Sequence, residues 1–107
     1  MDVEKGADPC WFGFPIVIAD GAPFTRLELV EWLEDHKIGT RNLFAGNLLK
    51  HPAYIHRKDV RVVGPLTNSN KIMEDGFWIG VYPGITKAMV KYILNIFEAF
   101  MKTEIIL

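Results

Sequence analysis

The chain has 107 residues, half of them apolar, with 3 Trp, 3 Tyr and 7 Phe and a formal net charge of −1. That length supports one domain around one core, and the near-neutral charge offers no attractive field to nucleic acid or an anionic membrane. No apolar run is long enough to span a bilayer, and the start Met1-Asp2-Val3-Glu4-Lys5 lacks a basic-then-apolar signal pattern, which points to the cytoplasm.

Residues 1–9 are polar, contain Gly6 and Pro9, and read as a frayed lead-in or the remnant of a linker from another domain. Trp11 to Ile18 reads as a strand through its aromatic and β-branched content. Pro15 lacks an N–H, so this strand belongs at a sheet edge or carries a bulge. Asp20-Gly21-Ala22-Pro23 is a turn. Thr25-Arg26-Leu27-Glu28 then fits a capping box, with Phe24 and Leu29 placed for a hydrophobic staple. Leu29, Val30 and Leu33 give the buried stripe of this helix, while Glu28, Glu31, Glu34 and Asp35 face water. His36 and Lys37 suit the negative end of the helix dipole, and Gly39 is expected to supply the left-handed cap.

Thr40 to Phe44 is a short strand candidate that runs into an Ala45-Gly46-Asn47 loop. Residues 48–66 have no clean period and form a long irregular segment, with a helical turn near Leu48–Lys50. Thr67 starts a short helix that runs to Asp75 and stops at Gly76, and Phe77 to Val81 is the next strand. The last helix spans Thr86 to about Lys102. One of its stripes is Met89, Ile93, Ile96, Phe97 and Phe100; the opposite one is Lys87, Lys91, Asn95, Glu98 and Lys102. The expected fold is α+β: a sheet of three strands with two main helices on one face, in β-α-β-(α)-β-α order. The aromatic supply exceeds what such helices cover, so Trp11, Phe12, Phe14, Phe77 and Trp78 are expected to leave an exposed apolar patch that favours self-association.

Most candidate chemistry is weak. Cys10 is a lone thiol that can form no internal disulfide and no zinc site by itself. His36, His51 and His56 match no metal-ligand spacing, and Gly80-Val81-Tyr82-Pro83-Gly84 is not a phosphate-binding loop. Lys50, His51, His56, Arg57, Lys58 and Arg61, offset by Asp59, either attract a nucleotide diphosphate or form a solvated loop. Arg41 and Asn47 are sharper. Arg41 can grip a phosphate or carboxylate with a planar fork, and Asn47 can offer donor and acceptor to sugar hydroxyls. The structural alternative for Arg41 is an ion pair with a carboxylate of the first helix.

Three blocks, Trp11-Phe12-Gly13-Phe14-Pro15-Ile16, Thr40-Arg41-Asn42-Leu43-Phe44-Ala45-Gly46-Asn47 and Phe77-Trp78-Ile79-Gly80-Val81-Tyr82-Pro83-Gly84, carry a resemblance. In their order and spacing they resemble the C-terminal small domain of CDP-4-keto-6-deoxy-glucose 3-dehydrases, in the sugar aminotransferase/dehydrase family of fold-type-I vitamin-B6 enzymes. The likeness implies that residues 10–107 are that small domain and that a large cofactor domain is missing. It implies a pyridoxamine or pyridoxal phosphate cofactor on the missing domain, none on this chain, and no catalytic or metal-binding residue here. It also implies a nucleotide-sugar substrate of deoxysugar biosynthesis and a homodimer. By motif, Arg41, Phe44, Gly46 and Asn47 would meet substrate, with Tyr82 lining the same side. Alternatives are a sister nucleotide-sugar aminotransferase, or a stand-alone binding module that has lost its catalytic half.

Overall fold

The computed structural model describes residues 3–105; Met1 and Asp2 of the expected linker, and the end of the expected domain at Ile106 and Leu107, lie outside them. Strand β1 spans Gly13–Val17, helix α1 Arg26–Asp35, strand β2 Thr40–Asn42, helix α2 Thr67–Asp75, strand β3 Gly76–Gly80 and helix α3 Lys87–Ile105, with a single 3-10 turn at Leu48–Lys50. The order is the expected one. The three strands form one antiparallel sheet in the order β1-β3-β2, so β1, which holds Pro15, lies at an edge.

The register sorts the side chains into two faces. Phe14 pairs with Ile79 and Ile16 with Phe77 across β1 and β3, while Thr40 and Asn42 pair with the same two residues across β2. Those positions face the helices. Pro15 and Arg41 both pair with Trp78, which therefore points to the opposite face.

Helices α1 and α3 close the first face. Ile18, Leu29, Leu33, Ile38, Phe77 and Phe100 are the buried apolar core, with Ile16, Phe24, Ile79, Ile93, Ile96 and Phe97 packed around it. Phe24 packs T-shaped and Trp32 tilted against Phe100, at 5.0 and 5.9 Å between ring centres, and the Trp32 indole N–H donates to the Ile96 carbonyl at 3.2 Å. These contacts lock α1 to α3. The stripe foreseen on α3 is half-buried at Ile93, Ile96 and Phe97 and fully buried at Phe100, while Met89 is exposed and lines an open cavity beside Ile79. Phe77, expected in the exposed patch, is fully buried instead, since the pleat turns it toward α1.

Local chemistry sets the ends of α1. Thr25 accepts from the Glu28 N–H at 3.3 Å, and the Glu28 carboxylate accepts from the Thr25 N–H at 2.6 Å, completing the capping box. The other end departs from expectation, because Lys37, with φ +63°, takes the left-handed position assigned to Gly39. The Ile38 N–H donates to Leu33 O at 2.9 Å and the Lys37 N–H to Glu34 O at 3.0 Å, a Schellman closure. This closure brings Ile38 over Leu33, and both side chains are core; burying them outweighs the cost of a non-glycine residue there.

Helix α2 adds no fully buried residue but runs directly into β3. The junction is tight, since a Cβ on Gly76 would come within 2.6 Å of the Ile72 carbonyl oxygen. Arg26, at the start of α1, donates through Nη1 to Met73 O at 2.7 Å and Gly76 O at 3.2 Å. One guanidinium thus satisfies carbonyls at the end of α2 and ties that end to α1. The domain is flat: its Cα radius of gyration is 16.7 Å and its extents are 50 × 41 × 25 Å. A compact chain of this size would have a radius of about 13 Å.

Two outcomes follow from this framework. Arg26→Ala is expected to lower the urea-unfolding free energy by about 1.5–3 kcal/mol, since two partly buried carbonyls lose a charged donor. The carboxyls of Glu28 and Glu34 are held below their ordinary value of 4.5, the first mainly by the Thr25 backbone N–H and the second mainly by the Thr40 hydroxyl. Groups with depressed folded values stabilise above the unfolded value and lose that contribution as pH falls through the folded one. A Tm series from neutral pH to below pH 4.5 should therefore decline at its acid end, and the decline should be smaller in Glu34→Gln.

Candidate functional site

The uncovered face of the sheet centres on Trp78. Gly13 makes room for the indole: a Cβ there would sit 3.1 Å from two of its ring atoms, so the ring leans over the backbone of β1. Phe12 and Phe44 pack their rings edge-on against Trp78, at 5.1 and 5.2 Å between centres. Both are largely exposed, Phe12 at 78% and Phe44 at 82%. Arg41, also exposed, is cross-strand from Trp78. A cavity of about 570 Å³ lies here, lined by Phe12, Gly13, Glu34, Thr40, Arg41 and Trp78 among others.

The first-helix carboxylate nearest this cavity does not neutralise Arg41. Glu34 Oε1 instead accepts from the Thr40 N–H at 2.5 Å and the Thr40 hydroxyl at 2.8 Å, which fixes the start of β2. No ion pair of Arg41 is found among the described residues. The arrangement leaves a cation beside flat apolar walls, the chemistry needed to hold an anion attached to something planar.

The loop after β2 is strained and braced. Phe44 does not continue the strand as expected; it adopts φ +46°, a left-handed conformation that is costly for a bulky aromatic residue. Its N–H donates to Asn42 O at 2.8 Å, and the Gly46 N–H donates to Leu43 O at 3.2 Å. His51 Nε2 donates to the Ala45 carbonyl at 2.6 Å, so that nitrogen carries the proton. Gly46 itself has φ +65°, and a Cβ there would fall 2.4 Å from the Met73 Cβ. Asn47 is the buried polar residue of the core region, 6% exposed. Its Nδ2 donates to Asn70 Oδ1 at 2.7 Å, and its Oδ1 accepts from the Leu49 N–H at 3.0 Å.

The five residues singled out in the sequence are therefore not gathered at one point. Arg41 and Phe44 share the open face with Trp78. Gly46 and Asn47 lie beneath the loop against α2 and hold its shape, and the amide of Asn47 is engaged inside the chain. Tyr82, 61% exposed, lines two apolar cavities beside α3 on the helix side of the sheet, away from Arg41. Sequence reasoning missed Trp78 as the centre and His51 and Arg26 as braces. The paired glycines of the two aromatic strands, Gly13 opposite Gly80, were the available signal, because a strand glycine marks close approach of another group.

Other candidates are accounted for locally. Of the basic segment, Lys50 pairs with Glu74 at 3.0 Å and Arg57 with Asp59, while His56, Lys58 and Arg61 are exposed. His36 Nδ1 donates to Trp32 O at 2.7 Å. Cys10 is exposed, and no group of three metal-ligating side chains occurs among the described residues. No described helix is long and apolar enough to cross a membrane.

Known proteins give this geometry a context. The sequence pattern of the DegT/DnrJ/EryC1/StrS aminotransferase family matches residues 1–98. The lipopolysaccharide biosynthesis protein RfbH of Salmonella typhimurium is 50% identical over 99 residues, 92% of this chain and 22% of that protein. The dTDP-4-dehydro-2,6-dideoxy-D-glucose 3-dehydratase of Saccharopolyspora spinosa is 46% identical over 95 residues, 89% of this chain and 20% of that protein. A crystal structure of GDP-4-keto-6-deoxymannose-3-dehydratase with a trapped PLP-glutamate geminal diamine matches at a TM-score of 0.59 and 30% identity, over 65% of this chain and 18% of that one. The chain spans about a fifth of the length of the curated relatives it matches.

The strain at Phe44 can be measured. Phe44→Gly should change unfolding free energy by no more than about 0.5 kcal/mol, because relief of the left-handed conformation offsets the lost ring contact of about 0.5–1.5 kcal/mol. Phe44→Val, whose branched side chain resists that conformation, should cost about 1–2 kcal/mol. Equal losses in both variants would mean that the ring, not the backbone, matters here.

Proposed function

The chain belongs to the DegT/DnrJ/EryC1/StrS aminotransferase family, and from that premise we propose that it is the small domain of a vitamin-B6-dependent nucleotide-sugar 3-dehydratase. Its open sheet face would close the active site over the substrate. The observation that carries this is Arg41, exposed and without an ion pair among the described residues, next to Trp78 and the strained Phe44. The name of the relative at 46% identity, a 3-dehydratase of a dTDP-linked dideoxy sugar, supports deoxysugar chemistry and favours dehydration over amino transfer. That of the relative at 50% identity supports a place in lipopolysaccharide biosynthesis. We take the substrate to be CDP-linked, the assembly to be a homodimer, the chain to be the C-terminal part of the enzyme and the location to be the cytoplasm.

Lys71, the lysine that lines a cavity beside α1, does not suit a Schiff base to the cofactor. A Schiff-base lysine needs a depressed pKa, whereas Lys71, in a cavity of about 380 Å³, is held as an ammonium by Asp20 and Asp75. Asp20 first and Asp75 second raise its pKa above the ordinary value. Pyridoxal or pyridoxamine phosphate therefore falls to a separate large domain in the proposal, and no chemical step is assigned to this chain. The part left to it is physical: to present a guanidinium fork and aromatic walls, and to exclude water when the cleft closes.

Arg41→Ala tests this. In the complete enzyme, kcat/KM for the nucleotide sugar should fall by the equivalent of about 1–3 kcal/mol, with Arg41→Lys recovering only part, because an ammonium lacks the planar fork. The stability of the 107-residue domain should change by less than about 0.5 kcal/mol. Lost stability with unchanged turnover would end the functional role of Arg41.

A further inference from the structure

Resting on the function proposed above, we infer that the open face of the sheet seats the nucleoside diphosphate half of the substrate, with the base against Trp78 and Phe12 and the diphosphate on Arg41. The cavity of about 570 Å³ has the size of a small-molecule site, which typically runs from about 300 to 1,000 Å³. Its walls carry the two chemistries of a nucleotide. Phe12 and Trp78 supply flat apolar surface, and Arg41, directly across from Trp78 on β2, supplies a fork for phosphate oxygens.

The surface is built before any ligand arrives. Gly13 lets the indole settle over β1, and Phe12 and Phe44 pack T-shaped against it, so little freedom remains to be lost on binding. Glu34 lines the same cavity, but its carboxylate is held by the Thr40 N–H and hydroxyl and makes no ion pair with Arg41, so the guanidinium keeps its donors for a ligand. A cavity meant only for burial under another protein surface has no need of a guanidinium in its lining that makes no ion pair among the described residues, and a diphosphate does. Stacking also reads the face of a base and not its edge, so such a seat tolerates different nucleobases. That suits a family whose matched members are named for dTDP-linked and GDP-linked sugars.

The test is a titration of the 107-residue chain with CDP, dTDP and GDP, read by saturation-transfer NMR on the base protons, with inorganic pyrophosphate read by its phosphorus resonance and glucose by its own ring protons as separate probes. All three nucleoside diphosphates should give saturable transfer within the millimolar range, bind more tightly than pyrophosphate, and leave glucose without effect. Trp78→Leu should weaken them roughly tenfold. Phe12→Ser, at a largely exposed position where the fold is not at risk, should weaken them in the same direction and leave pyrophosphate unchanged. Arg41→Ala should weaken nucleoside diphosphates and pyrophosphate alike. Affinities indifferent to Trp78 and Phe12, or no transfer to the base protons at millimolar ligand, would overturn the base seat. Either result leaves the dehydratase proposal standing on the turnover of Arg41→Ala in the complete enzyme. Conversely, base binding here with unchanged turnover there would remove the proposed function and keep the seat.

Discussion

Strand β3 is bonded along both edges, and nearly everything else in the domain depends on that pairing. Its antiparallel register with β1 and β2 sends Phe77 and Ile79 toward the helices and Trp78 to the opposite side. A slip by one residue would exchange those faces, expelling the most buried aromatic side chain and driving the indole into the helices. The register is fixed from outside the sheet as well. Gly76 admits the close turn out of α2, and Arg26 clamps that turn to the start of α1. The same constraint that builds the core thus builds the candidate site on its reverse.

The domain is apolar on both sides of a sheet but covered on one. Its buried apolar core consists of Ile18, Leu29, Leu33, Ile38, Phe77 and Phe100, while Phe12, Phe14, Phe44, Tyr82 and Leu94 remain open to solvent. The flat extents express the same imbalance. A free-standing protein seldom leaves so much aromatic surface exposed without a use for it. On the open face, a cation and a strained loop accompany the aromatic residues. Beside α3, the two cavities that share Tyr82 and Ile85 are lined mostly by apolar residues.

Strain and bracing divide the work in the loop after β2. Phe44 occupies an unfavourable backbone conformation while its ring contacts Trp78 and faces solvent. Asn47, Gly46 and His51 hold the loop from beneath through a buried amide, a glycine packed on Met73 and a bond to the Ala45 carbonyl. Residues that look ligand-facing in a motif can therefore be structural instead, holding a neighbour in place. The division explains why one motif contains both exposed and buried polar side chains.

The sequence by itself determined what depends on short-range chemistry. The capping box at Thr25, the edge position of the strand holding Pro15, the stop of α2 at Gly76 and the order of elements all follow from neighbours along the chain. The aromatic strands and the Arg41 loop were legible as candidates for the same reason: residue type and spacing carry them. Only the tertiary structure decided how those pieces share space. Lys37 and not Gly39 reverses the chain, because Ile38 must reach the core over Leu33. Phe77 is buried and Trp78 is not, because pairing with two strands fixes the pleat. Asn47 turns inward to Asn70, and Tyr82 lines the two cavities beside α3 and not the one that Arg41 lines. Phe77, Trp78 and Asn47 are placed by contacts between residues distant in sequence, and Lys37 takes its conformation in a local closure whose reason is the burial of Ile38 in the core.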